Sequence, residues 1–313
     1  MVKRALLVGI NYSGTANELA GCINDSHHMQ NYLSANSFTE IKLILEKDAT
    51  TDGIVGGLEW LTSGLSAGDV IVFHYSGHGP QLPSTNESDG FEEIICPIDL
   101  DWNTKVITDD TLRKIFNKVP SGVNTTVILD CCHSGTMLDQ TESLNITPNE
   151  LIVEKTMAVT ANEGRYMPPP ANVAHKLKNR SLVDWSTAKD VNSGALLIAG
   201  CQANQTSADA VIDGISQGAA TASMLRILST DNSISYKNLV IDMNKFMIEN
   251  GFEQRPALDG ASSLYDNTFL KPFVANNEVE PPPFEHNDHT ADRNGVLVVS
   301  IVAVILVILI VIL

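Results

Sequence analysis

Two stretches of this chain share one plan, and together they constrain the fold more than any other feature. Val70-Ile71-Val72-Phe73-His74-Tyr75-Ser76-Gly77-His78-Gly79 and Thr125-Thr126-Val127-Ile128-Leu129-Asp130-Cys131-Cys132-His133-Ser134-Gly135 are each a β-branched apolar run that ends in small residues. Apolar runs of this length, without alternation, are the pattern of strands buried on both faces of a parallel sheet. Loops leaving the carboxyl ends of such strands are where open α/β sheets place their sites. The first loop carries a histidine and the second a cysteine. If the two strands lie together, a thiol and an imidazole meet at one edge of the sheet, the arrangement of a cysteine nucleophile activated by histidine.

The rest of the chain supports an α/β reading. Further apolar runs fall at residues 5–10, 41–45, 195–199 and, more weakly, 268–273. Helical patterns lie between most of them, at about 17–34, 51–65, 109–117, 217–228 and 235–249. This alternation predicts a mostly parallel sheet with helices on both faces. Residues 141–192 break it: they lack periodicity, contain Pro168-Pro169-Pro170 and collect Lys155, Arg165, Lys176, Lys178, Arg180 and Lys189. The expected organisation is one catalytic domain over 1–275, with a larger portion 1–140, a basic internal linker 141–192 and a smaller portion 193–275. Strand-like residues begin at once, so no signal peptide or pro-domain is expected before them.

The carboxyl end reads differently. Residues 276–294 carry Pro281-Pro282-Pro283 among acidic and amide residues, as an extended tether would. Residues 295–313 hold no charge, with Ser300 the only polar side chain. At 1.5 Å rise per residue they make roughly 28 Å of helix, close to the hydrocarbon thickness of a bilayer. The expectation is a single-pass tail anchor with the catalytic body in the cytosol. A net charge of −17 argues against nucleic acid as a partner, because phosphate binding rests on Lys and Arg. Five cysteines without paired zinc-type spacing fit a reducing compartment.

Chemistry concentrates on the two loops. Cysteine reacts as the thiolate, so a thiol of ordinary pKa needs a base, and His78 is the candidate. Gly77 and Gly79 can bring backbone N–H groups close to a substrate oxyanion. Cys131 and Cys132 compete for the nucleophile role, and spacing alone does not choose between them. A zinc site would need adjacent ligands, which seldom close a tetrahedron. A cysteine phosphatase would need an arginine soon after the cysteine, and Gly135 is followed by Thr136, Met137, Leu138 and Asp139.

Tyr75-Ser76-Gly77-His78-Gly79 and Asp130-Cys131-Cys132-His133-Ser134-Gly135 resemble the histidine and cysteine motifs of metacaspases, the caspase relatives of plants, fungi and protists. Gly9-Ile10-Asn11-Tyr12, Leu19-Ala20-Gly21-Cys22-Ile23-Asn24-Asp25 and the stretch from Ile198-Ala199-Gly200-Cys201 to Ser207-Ala208-Asp209 add to the likeness, in family order across about 3–275. The resemblance implies a caspase-like α/β/α sandwich and a cysteine endopeptidase, acting in programmed cell death or stress proteolysis. It assigns the nucleophile to Cys132, which directly precedes His-Ser-Gly, and leaves Cys131 as a buried small residue. His78 is then the proton shuttle, and backbone N–H groups near Gly79 and Cys132 hold the oxyanion.

The resemblance also implies a pocket of Asp25, Ser76 and Asp130 for the side chain before the scissile bond. Carboxylates there favour Arg or Lys over Asp. Calcium-activated relatives use acidic positions that match Glu92, Asp109, Asp110 and Asp139, within a wider acidic group that includes Asp89, Glu93, Asp99 and Asp101. Oxygen ligands of this kind suit Ca²⁺, and no organic cofactor is expected. An enzyme of this specificity with an exposed basic linker is expected to cut itself there. The linker's length resembles type I members, and the family implies a monomer. The competing expectation is a membrane-anchored scaffold that keeps the fold without proteolysis.

Overall fold

In the computed structural model, residues 1–83, 91–132, 143–144, 159–170, 173, 194–202 and 205–273 are described, within one compact unit, Met1–Ala275. The centre is a seven-stranded sheet of β1 (Lys3–Gly9), β2 (Glu40–Leu45), β3 (Val70–Ser76), β7 (Asn124–Asp130), β8 (Ser143–Leu144), β10 (Ala195–Ala199) and β13 (Ala257–Asp259), in the order β2-β1-β3-β7-β10-β13-β8. The five strands from β2 to β10 run parallel, while β13 and β8 add antiparallel at one end.

The apolar runs are unbroken because both faces are covered. Side chains alternate between two cores. Leu6, Val8, Ile71, Phe73, Val127 and Leu129 pack with helices α2 (Thr51–Thr62) and α3 (Asp109–Phe116). Ala5, Leu7, Val70, Val72, Ile128 and Ile198 face α1 (Cys22–Ala35), α4 (Ala219–Thr230) and α5 (Tyr236–Glu249) on the other side. Side chains of Thr50, Thr108 and Ser235 accept the N–H groups of Gly53, Thr111 and Asn238, fixing where α2, α3 and α5 begin. This is the layered α/β/α architecture expected from the alternation.

Two smaller sheets sit beyond the carboxyl ends of the central strands. One comprises β4 (Gln81–Pro83), β5 (Phe91–Ile95) and β6 (Ile107–Thr108). The other comprises β9 (Val159–Gly164), β11 (Ala208–Ile212) and β12 (Ile215–Gly218), in the order β12-β11-β9.

Three expectations need correction. Helix α1 starts at Cys22 rather than near residue 17, because residues 17–21 form a wall of the site described below. Helix α4 starts at Ala219, since Gln217 and Gly218 belong to β12. Residues 268–273 form no strand: Thr268 makes one isolated bridge with Ser235, and the chain turns at Leu270, whose φ is 53°. Phe269 there packs edge-on against Tyr236 with ring centroids 5.2 Å apart. Among the described residues no helix is long and apolar enough to cross a membrane. The span expected at 295–313, the tether before it and most of the 141–192 linker lie outside the described residues.

Candidate active site

Strands β3 and β7 are hydrogen-bonded neighbours, and Ser76 stands opposite Asp130 at their ends. The two loops therefore leave the sheet side by side. Tyrosines shape the first loop. Tyr75 Oη donates to the His78 carbonyl at 2.7 Å, and Tyr12 Oη donates to the Cys96 carbonyl at 2.6 Å while accepting from the His78 N–H at 3.2 Å. Gly77 lies directly on these hydroxyls; an added Cβ would fall within 3.0 Å of Tyr75 Oη. A larger residue there would displace the histidine loop.

His78 stacks its ring against Tyr12, centroids 4.8 Å apart, and places Nε2 2.8 Å from the Asn17 carbonyl. A carbonyl can only accept, so Nε2 carries the proton and Nδ1 is left as the basic nitrogen. Nδ1 is buried and has no hydrogen-bond partner. Burial holds the imidazole pKa below its ordinary value, opposed by the backbone of Asn17 and of Arg165, so the neutral base is favoured. Cys132 Sγ points to the Ser207 carbonyl at 3.9 Å. Burial pushes its thiol well above the usual range, so the covered site holds the thiol form. Cys131 points elsewhere, into the core, and burial raises its thiol too. Its Sγ lies against Gly79, where an added Cβ would fall within 3.0 Å of it.

What covers the site is the chain itself. Arg165, fully buried, reaches into the space between β3, β7 and α1. Its Nη1 donates to Ser76 Oγ at 2.8 Å and the Asp130 carbonyl at 2.9 Å, and lies 3.1 Å from Asp130 Oδ1. Its Nη2 donates to Asp25 Oδ2 at 2.7 Å and to Asp209 Oδ1 at 2.9 Å. The three residues expected to form a basic-side-chain pocket thus meet around one guanidinium. A fourth, Asp209, was not expected, although it lies in a quoted motif.

Each carboxylate is held from behind. Asp25 accepts from Ser76 Oγ and from the Gly218 N–H; Asp130 accepts from Ser207 Oγ and from the Thr221 N–H and hydroxyl. Asp209 accepts from the Ala20 and Gly21 N–H groups just before α1. Gly218 forms one wall of the pocket: a Cβ there would fall within 3.0 Å of Asp130 Oδ2 and Arg165 Nη1. Three carboxylates around one cation cannot all ionise at equal cost. Burial raises the Asp25 pKa to about 6 against the pull of Arg165, whereas Arg165 and the Ser207 and Thr221 donors hold Asp130 below its usual value.

The backbone of Arg165 is placed as tightly as its side chain. Its carbonyl accepts from the Gly79 N–H at 3.2 Å, and its N–H donates to the Ser207 carbonyl at 2.9 Å, the same carbonyl that Cys132 Sγ faces. Residues before it form β9, antiparallel to β11 with Gly164 opposite Ala208. Tyr166 then emerges to solvent.

The four expected calcium positions do not all meet. Asp109 is buried with Oδ1 unpartnered, and burial, with Glu93 and Glu92 nearby, raises its pKa to about 8. Such a carboxyl fits a cation that would replace its proton. Asp110 pairs instead with Arg113, Asp139 lies outside the described residues, and Asp99 and Asp101 bind N–H groups of Thr51 and of 103–105. Among the described residues no group of three or more His, Cys, Asp or Glu is arranged to hold a metal ion.

A sheet of this order, with a thiol and an imidazole at adjacent strand ends, defines an α/β cysteine hydrolase site. The fold matches the crystal structure of protein GSU0716 from Geobacter sulfurreducens with a TM-score of 0.61 and 24% identity, over 88% of this chain and all of that one. Residues 3–141 match the model of the metacaspase, peptidase C14 domain. Metacaspase-1 of Kluyveromyces lactis is 31% identical over 85% of this chain and 67% of its own length. Metacaspase-2 of Trypanosoma brucei brucei is 30% identical over 85% and 75%. The chain belongs to the metacaspase family, and is a caspase-like cysteine peptidase acting on proteins.

Proposed function

We propose that this peptidase cleaves after arginine or lysine and that its own linker supplies the first bond cut. The observation that carries this is Arg165, held by Asp25, Ser76, Asp130 and Asp209 with its carbonyl on the Gly79 N–H. A neutral Gln or a carboxylate side chain would leave these buried acceptors unpaired or repelled. Arg165 is the basic linker residue that lies among the described residues, and it is seated in this way.

In the proposed mechanism Cys132 Sγ attacks the carbonyl carbon of the basic residue while His78 Nδ1 takes the thiol proton. The N–H groups of Gly79 and Cys132 hold the oxyanion. Collapse breaks the C–N bond, and His78 returns the proton to the leaving amine. Water, deprotonated by His78, then hydrolyses the thioester. The uncut chain is latent because residues 159–165 fill the cleft and keep the thiol protonated.

Calcium is the proposed activator, with Glu92, Asp109, Asp110 and Asp139 as its ligands; bound there it would supply positive charge to the buried carboxyl of Asp109. Residues 295–313 are proposed to anchor the protein in a membrane with the catalytic body in the cytosol, as a monomer. Removing them should release the protein from membranes, and persistent association rejects the anchor. The enzymatic reading is tested with the full chain and fluorogenic peptides ending in Arg, Lys or Asp, with and without calcium. Turnover of the Arg and Lys peptides alone is expected. Turnover of the Asp peptide refutes the pocket, and calcium-independent turnover removes the metal. A chain silent under both conditions, with Cys132 inert to a thiol-directed probe, is the scaffold instead.

A further inference from the structure

The seated segment also reports on the position before the basic residue. A chain bound as β9 is bound by strand addition, its backbone paired antiparallel to β11 with one irregularity between Asp209 and Ala210. The residue preceding Arg165 is Gly164. A Cβ built on Gly164 falls within 3.0 Å of Thr206 Cγ2, a separation that real Cβ atoms essentially never show. Gly164 is absent from the glycines with positive φ, so its backbone suits any residue. Space, and not conformation, is what excludes a side chain there.

Thr206 is exposed, so a side chain at 164 can be accommodated only if Cγ2 turns away about χ1, with the backbone staying where it is. Its neighbour Gln205 is tied through its side chain to the Gln202 and Arg255 N–H groups and to the Glu253 carbonyl. Its other neighbour, Ser207, donates its hydroxyl to Asp130 and its carbonyl holds the Arg165 N–H. The backbone of Thr206 is therefore pinned on both sides, and a β-branched side chain is stiff at χ1.

Resting on the reading that this site cleaves after arginine or lysine, we propose that Thr206 closes the adjoining subsite and restricts the residue before the basic one to glycine. The chain's own sequence agrees. Lys155, Lys176, Lys178, Arg180 and Lys189 follow Glu154, His175, Leu177, Asn179 and Ala188; of the 20 lysines and arginines, Arg165 alone follows a glycine. The subsite thereby selects Arg165 from a linker rich in basic residues, and it directs the activated enzyme toward Gly-Arg and Gly-Lys sequences in other proteins.

The test uses the full chain in calcium and reporter peptides ending in Gly-Arg, Ala-Arg, Val-Arg and Phe-Arg. The wild type should show a kcat/KM for Gly-Arg at least tenfold above Ala-Arg, with the bulkier pair lower still. Thr206→Ser deletes Cγ2 and keeps the hydroxyl, so the Gly/Ala ratio should fall to threefold or less; Thr206→Val keeps the methyl and should keep the ratio. In parallel, Gly164→Ala should slow the chain's own cut after Arg165 at least tenfold, and adding Thr206→Ser should restore it. A wild-type ratio under threefold, or a ratio unchanged by Thr206→Ser, overturns the subsite and leaves the peptidase reading intact. No turnover of any peptide overturns both.

Discussion

Replacing Arg165 with alanine withdraws a guanidinium from between Asp25, Asp130 and Asp209, all of them buried. Removing one member of a buried ion pair costs about 3–5 kcal/mol when the partner cannot reach water. Here β9 is the edge strand of a three-stranded sheet, so unseating residues 159–165 would let solvent reach the partners. The loss is therefore taken as unseating of the segment and not as collapse of the domain. At 1.4 kcal/mol per factor of ten, the seated-to-unseated ratio should drop by roughly two to three and a half powers of ten. Cys132 lies under that segment, so its alkylation by iodoacetamide in calcium-free buffer scales with the unseated fraction. Followed by peptide mass, alkylation at Cys132 should accelerate by up to that factor in Arg165→Ala. Arg165→Lys keeps the charge but cannot reach both sides of the pocket, and should fall between. An unchanged alkylation rate together with a lowered urea midpoint would refute the reasoning, because Arg165 would then be a fixed core ion.

Asp130→Asn removes the charge facing Nη1, and should lower kcat/KM for Arg peptides roughly ten- to a hundredfold, mainly through KM, as a charge-assisted hydrogen bond of about 1.5–3 kcal/mol requires; steady-state kinetics decide it. Gly218→Ala places a methyl in the space of the guanidinium, so Arg-peptide turnover should fall below a tenth while circular dichroism stays unchanged. Asp109 has a folded pKa near 8, above its unfolded value. It binds its proton more tightly in the fold, so calcium-free stability should decline as pH rises from about 4 to 8, by on the order of a few kcal/mol. Asp109→Asn should flatten that decline in urea titrations, and an unchanged slope assigns it to other groups.

The central strands were readable because burial on both faces leaves an unbroken apolar run, and β3, β7 and β10 were found within two residues of their ends. The pocket was readable only in part. Asp25, Ser76 and Asp130 came from family motifs, since nothing in their spacing brings them together. Asp209 and Gly218 were missed because the hairpin of β11 and β12 was missed. Its signal was present: Asp213-Gly214, with φ of 52° and 82°, is the two-residue turn that follows alternating apolar residues. The seat of Arg165 could not be read at all. It depends on β9 pairing across more than forty residues with a strand too short to announce itself, and the six basic linker residues look alike until the pocket is assembled.

The central claim is that Cys132 hydrolyses the bond after a basic residue held by the aspartates. Intact mass and amino-terminal determination of the full chain after calcium addition tests it most directly. The account predicts two fragments meeting at Arg165 and Tyr166 in the wild type and none in Cys132→Ala. Fragments that form equally in Cys132→Ala, or a first cut after a residue other than arginine or lysine, contradict it.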